Sequence, residues 1–151
     1  MLQLARPEDR DAINALAMQV HWMHVQWRPD IYKMTDELWP QDRFSVAVSN
    51  RQLFAAKMDG QVVGYVSLKI RDCDQGGLVK RKVLLIDEIC VDEAQRRCGI
   101  GTEMMTDIRA IARAYGCTDL QLGVYPQNDA AVAFYQKCGF RIRSIDMQQK
   151  L

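Results

Sequence analysis

Ile89-Cys90-Val91-Asp92-Glu93-Ala94-Gln95-Arg96-Arg97-Cys98-Gly99-Ile100-Gly101-Thr102 is the stretch whose reading decides the fold. An apolar strand, Val83–Val91, runs into a short polar loop, and the loop opens a helix, Gly99–Tyr115, through two glycines one residue apart. The first turn of any helix carries unsatisfied amides and the positive end of the helix dipole. Glycine lets an anion approach those amides with no Cβ in the way, so the junction reads as a phosphate seat, with Arg96 and Arg97 adding charge beside it. Hydrogen bonds to a charged group are worth roughly 1.5–3 kcal/mol each, so several amides on one pyrophosphate would supply much of a cofactor's affinity. Two other phosphate motifs are excluded. No Gly-Lys-Ser/Thr exists for a P-loop, and Met104 stands where a dinucleotide fingerprint needs its third glycine.

Outward from that turn, the bulk numbers describe an ordinary globular chain. Its 151 residues, 48% hydrophobic and 26% charged, suit one domain spanning 1–151. Twenty basic residues against 19 acidic ones leave a net charge of +1. So balanced a surface gives no general field for nucleic acid, and an anion must be met by a local cluster. No apolar run approaches the ~18 residues of a membrane span, and Met1–Pro7 has neither a basic leader nor a long apolar segment. Cysteines 73, 90, 98, 117 and 138 are odd in number and include no Cys-x-x-Cys pair. They support neither a disulfide framework nor a zinc site, and a reducing cytosol is the expected setting.

The remaining elements follow from periodicity. Leu2–Ala5 reads as a first strand. Ile13, Leu16, Ala17, Val20 and Trp27 form a helical stripe that ends before Pro29. A shorter helix falls within Glu37–Ser49, with Phe44, Val46 and Val48 as its apolar content. Leu53–Met58 and Gln61–Ile70 flank Asp59-Gly60, a strong hairpin signal, and Arg71–Arg81 reads as a polar loop. Leu120–Val124 is a further strand. Asn128 caps a helix that runs through Lys137 to Gly139, and Phe140–Ile145 and Met147–Leu151 read as closing strands. The order implies an α/β chain of the α+β type: a mixed, largely antiparallel central sheet with helices on both faces.

Arg96-Arg97-Cys98-Gly99-Ile100-Gly101 resembles the Arg/Gln-x-x-Gly-x-Gly/Ala signature of the GNAT superfamily of N-acetyltransferases. About thirty residues on, Asn128-Asp129-Ala130-Ala131-Val132-Ala133-Phe134-Tyr135-Gln136-Lys137-Cys138-Gly139-Phe140 is similar to that family's Asn-x-x-Ala-x-x-Phe-Tyr-x-Lys-x-Gly-Phe segment. Arg97 and Cys98 depart from the commoner residues inside the turn, which matters little where contacts are made by backbone. The resemblance implies the acyl-CoA N-acyltransferase fold and an acetyl-CoA site between Val83–Val91 and Leu120–Val124. The amides of Arg97, Cys98, Gly99, Ile100, Gly101 and Thr102, beside Arg96, would hold the pyrophosphate. The main chain of Ile89, Cys90 and Val91 would pair with the pantetheine arm like an added strand, and Asn128 would hydrogen-bond it.

The chemistry so implied is direct attack of an amine on the thioester in a ternary complex. An ammonium with pKa near 10.4 must lose a proton before attack, and a thiolate leaves more easily with one. Glu88, with Asp87 as the second candidate, is the expected base, acting directly or through water. Tyr135 is the expected acid, and amides near Ile89 and Cys90 would stabilise the oxyanion. His24 lies on the apolar stripe of its helix and reads as a packing residue. His21 and His24 are spaced for a metal, but no third ligand is evident. Trp22, Trp27 and Trp39 suit either a pocket or the core, and the acceptor's identity stays open. A second reading keeps the fold and the CoA site without catalysis, as a binding or regulatory module. Many relatives of this kind pair into homodimers, and Met147–Leu151 is the segment that would serve.

Overall fold

The computed structural model describes residues 1–151. Its five strands are β1 (Leu2–Leu4), β2 (Leu53–Met58), β3 (Gln61–Cys73), β4 (Arg81–Val91) and β5 (Asp119–Leu122), side by side in chain order. Pairing is antiparallel from β1 to β4 and parallel between β4 and β5. The helices are α1 (Arg10–Trp27), α2 (Gln41–Ser49), α3 (Ile100–Ala114) and α4 (Asp129–Lys137). A parallel neighbour cannot be reached by a tight turn, and α3 is the crossover that makes β5 possible. The tight turn falls where Asp59-Gly60 predicts it. Both residues have positive φ, 50° and 79°, which matches the twist of a two-residue hairpin.

Helices cover both faces of the sheet, as the element order predicts. On one face Ile100, Met104, Met105 and Ile108 of α3 pack against Val66, Leu68, Leu84 and Ile86. On the other, Ile13, Leu16 and Ala17 of α1 join Phe44 and Ala47 of α2 over Leu53, Ala55, Tyr65 and Cys90. Each large buried side chain contributes roughly 1.5–3 kcal/mol, so the four from α3 alone rival a typical net stability of ~5–15 kcal/mol. Gly64 lets α3 lie this close. A Cβ there would stand 2.7 Å from the Cys90 carbonyl oxygen and 3.1 Å from the Met104 sulfur.

The feature that makes a site is an irregularity in β4. Its register against β3 jumps from Glu88↔Ser67 to Ile86↔Leu68, so Asp87 is an extra, bulged residue. A bulge bends its strand. Pairing of β4 with β5 ends at Ile86↔Leu122, although β4 itself continues to Val91. The two strands part there, and a cleft opens between their C-terminal ends.

Four sequence expectations need adjusting. Strand pairing extends through Cys73 and resumes at Arg81, narrowing the expected Arg71–Arg81 loop. The fifth strand stops at Leu122, because beyond it β4 has bent away. Val46 faces solvent, and Ala47 takes its place in the core. The closing strands over Phe140–Ile145 and Met147–Leu151 are absent. No residue from Arg141 to Leu151 makes a backbone hydrogen bond, and Ile142, Ile145 and Met147 are 78%, 79% and 93% exposed. The apolar alternation is present there, but a strand exists only with a partner, and the outer edge of β5 does not take this segment.

Candidate active site

The turn after β4 presents a row of free donors. A 3-10 turn at Glu93–Gln95 leads to Arg97 and Gly99, both in the left-handed region at φ 65° and 85°, and Gly99 caps α3. The amides of Arg97, Cys98, Gly99, Ile100 and Gly101 have no hydrogen-bond acceptor in the chain. They converge at the positive end of a 15-residue helix. Thr102, grouped with them by sequence, differs: its amide donates to the Gly99 carbonyl at 3.0 Å, leaving the hydroxyl as its free donor. The Arg96 Nε donates to the Val91 carbonyl at 3.2 Å and so holds the turn against the strand end. Gln19 of α1 fixes the corner from the other side, donating to Asp92 and accepting from the Glu93 amide. The two glycines differ in purpose. Gly99 is needed for its φ, with open space around it, whereas a Cβ on Gly101 would press Phe134 of α4 at 3.2 Å.

Beside this seat runs the unpaired edge of β4. The Asp92 amide donates to the Val63 carbonyl, which sets the parity of the antiparallel ladder. Cys90 therefore turns its backbone groups toward β3, while those of Ile89 and Val91 point to the cleft side, where the Val91 carbonyl is already taken by Arg96 Nε. The Cys90 thiol is buried on the α1 face, donates to the Leu16 carbonyl and is pushed up to about 11 by that burial. It is an inert core thiol.

Across the cleft, α4 supplies Asn128 and Tyr135. The Asn128 Oδ1 accepts from the Ala131 amide at 3.2 Å, so this side chain caps the helix and keeps only its NH₂ for anything else. Tyr135 lies between Phe134 and Phe140, at ring separations of 5.4 and 5.8 Å. Burial, with smaller contributions from Cys138 and Cys90, pushes its hydroxyl up to about 12. It stays protonated, and its O–H has no partner within the chain.

Glu88 sits next to the bulge, on the face covered by α1 and α2. Both of its oxygens are engaged. Oε1 pairs with Arg43 of α2 at 2.6 Å, and Oε2 accepts from the Tyr65 hydroxyl at 2.9 Å. The Arg43 guanidinium is stacked 3.8 Å from the centre of the buried Trp39 ring, and Trp39 meets Tyr65 edge-on at 6.3 Å. Burial first, and then Glu88, raises Tyr65 well above the usual phenol value, so it remains a donor. Both bonds hold the carboxylate against α2 and β3. Asp87, the alternative base, is paired with Lys69 at 2.7 Å.

The C-terminal half of α1 and the chain after β5 meet above this face. His24 lies 5.1 Å from Tyr32, 5.3 Å from Tyr125 and 5.9 Å from Trp27, ring centre to ring centre. The hydroxyls of Tyr32 and Tyr125 are 2.9 Å apart and tie the loop after α1 to the end of β5. That bond, with burial, pushes Tyr32 up to about 12. His21 instead bonds the Lys33 carbonyl through Nε2 at 2.7 Å. Of the three tryptophans only Trp27 borders this cluster; Trp39 is core and Trp22 is exposed. Sequence reading missed Arg43, Tyr65 and Tyr125. The aromatic run His21–Tyr32 was the one local signal for the cluster that Tyr125 completes, and Arg43 and Tyr65, which hold Glu88, had none.

Comparison with known proteins shows the family and the fold. Residues 18–140 match the model of the acetyltransferase (GNAT) family. A glucosamine 6-phosphate N-acetyltransferase from Trypanosoma brucei brucei is 30% identical over 101 residues, 66% of this chain and 65% of that protein. An N-alpha-acetyltransferase from Sulfurisphaera tokodaii is 32% identical over 93 residues, 58% of this chain and 55% of its own. The matched region thus spans less than two thirds of these curated relatives. Among solved structures, the F44R mutant of the BH1408 protein from Bacillus halodurans superimposes with a TM-score of 0.94 at 27% identity, covering 100% of this chain and 99% of the other. The aminoglycoside N-acetyltransferase AAC(6')-Iy, at 16% identity and a TM-score of 0.65 over the full length of both chains, shares the fold.

Proposed function

Because this chain belongs to the acetyltransferase (GNAT) family, we propose that it binds acetyl-CoA as co-substrate and transfers the acetyl group to a primary amine by direct attack in a ternary complex. One observation carries the reading. Five consecutive free amides, Arg97 to Gly101, end beside the unpaired edge of β4, where Ile89 and Val91 point into the cleft. The first element suits a pyrophosphate, and the second suits an extended amide-bearing arm, as β-type pairing would hold it. Arg96 and the Thr102 hydroxyl flank the seat, and the Asn128 NH₂ faces the arm from the other wall.

When bound, the thioester supplies the electrophilic carbonyl. Tyr135, protonated at neutral pH, donates to the sulfur as it leaves. The outward Ile89 amide meets the developing oxyanion. Glu88, held by Arg43 and Tyr65, acts as a fixed negative charge that favours an ammonium on the α1 face. The relatives' names specify N-acetyl transfer, which motivates the amine class. Residues 1–151 act as one domain in this reading, in a reducing cytosolic setting. No helix is long and apolar enough to cross a membrane. Two copies pair through the exposed Met147–Leu151 segment.

The test is thiol release from acetyl-CoA with a panel of amines: phenylethylamine, glucosamine 6-phosphate, spermidine, an aminoglycoside, an amino-acid amide and a peptide with a free N-terminus. Turnover with at least one is expected. The alternative, a non-catalytic CoA-binding module, is favoured by the engaged state of Glu88. Selective acetyl-CoA binding with no turnover on any amine would establish it instead.

A further inference from the structure

His24 differs from the other candidate proton acceptors near the cleft, Glu88, Asp87 and His21, in one respect. Neither imidazole nitrogen has a hydrogen-bond partner in the chain, and neither is sealed from solvent. Glu88 has both oxygens engaged, Asp87 is paired, and His21 is bonded to a carbonyl. A half-buried imidazole framed by Tyr32 and Tyr125, yet bonded to neither, is a free lone pair held in place by packing alone. Resting on the acetyltransferase reading above, we propose that His24 is the proton acceptor for the attacking amine, and that Glu88 is a positioning residue.

The step balances as follows. The acceptor ammonium gives one proton to a nitrogen of His24, and the freed amine attacks the thioester carbonyl, forming a C–N bond. The C–S bond breaks, and the sulfur takes the Tyr135 hydroxyl proton. Tyr135 is reprotonated, through water, by the second proton of the former amine nitrogen. His24 releases its own proton to solvent. The products are an amide, a thiol and one proton.

The surroundings suit that duty. Burial lowers the imidazole below its ordinary value, and the neighbouring His21 on α1 lowers it further. Glu88 from β4 acts in the opposite direction, with Arg43 beside it as counter-charge. Tyr32 and Tyr125 are the titratable groups that face it from the loop and from the end of β5. Burial and His21 thus favour the neutral ring, the form that can accept a proton.

The experiment uses the full chain and the panel amine that it acetylates fastest. His24→Gln should lower kcat by a hundredfold or more, the range of a lost general base, with KM for acetyl-CoA unchanged. The acidic limb of the kcat/KM profile should disappear in His24→Gln and persist in Glu88→Gln. Free imidazole should restore part of the turnover of His24→Ala, which a packing role would not allow. Unchanged calorimetric acetyl-CoA binding by both His24 variants would show that the fold is intact. Turnover of His24→Gln within threefold of the wild type, or an acidic limb retained in it, would overturn the assignment while leaving the acetyltransferase reading in place. A wild-type chain that acetylates no amine would overturn both.

Discussion

Gly99 offers a way to separate conformation from charge at the proposed phosphate seat. It has φ 85° and nothing within 4 Å of where a Cβ would stand, so a side chain there meets strain but no clash. Asparagine and aspartate tolerate the left-handed region better than other side chains, and they are nearly the same size. Gly99→Asn and Gly99→Asp should therefore strain the turn equally, and they differ by one negative charge. A carboxylate about 5 Å from a bound phosphate is repelled by roughly 1 kcal/mol per charge at the dielectric of water and about 3 kcal/mol at that of a protein surface. Each ~1.4 kcal/mol is tenfold in Kd. Gly99→Asp should thus bind acetyl-CoA at least tenfold more weakly than Gly99→Asn, and added salt should narrow the gap through screening. Isothermal titration at low and high salt reads both quantities, with thermal melting to check that the two variants are equally folded. Equal affinities at low salt would refute the phosphate seat.

Three further outcomes are expected. Gly64→Ala should cost about 1–3 kcal/mol of stability in chemical denaturation, because its methyl meets a carbonyl oxygen that cannot move without the strand. Tyr135→Phe should lower turnover while leaving acetyl-CoA affinity intact. With Tyr135 raised to about 12, its contribution to stability is complete below pH 10, the unfolded value, and is lost as pH rises from 10 to 12, so melting profiles of this variant should fall less steeply in that window. Removing residues 141–151 should leave the melting temperature of the monomer almost unchanged, since the segment makes no backbone hydrogen bond, and should abolish any dimer seen by light scattering.

What sequence reading captured were features encoded locally. The Asp59-Gly60 hairpin and the Gly116 and Gly139 stops each depend on a few adjacent residues, and each has the positive φ that its sequence implies. The turn and its free amides follow in the same way. The bulge at Asp87 was not legible, because an extra residue in a strand shows only against its partner. The same holds for the Glu88 clamp, whose members are 45 and 23 residues away, and for the Tyr32–Tyr125 bond across 93 residues. At the C-terminus the local pattern misled: Ile142, Ile145 and Met147 have the composition of strands, but no neighbouring edge accepts them. His24 shows the limit most clearly. Its place on the apolar stripe indicated packing, whereas its unpartnered nitrogens emerge only when Tyr32 and Tyr125 are brought to it.

Calorimetric titration of the full chain with acetyl-CoA, with CoA and NAD as comparisons, tests the central claim most directly. Tight binding of acetyl-CoA and CoA, with none of NAD, is the expected result. No heat at millimolar acetyl-CoA would mean that the five free amides serve only the fold, and the proposed function would fall.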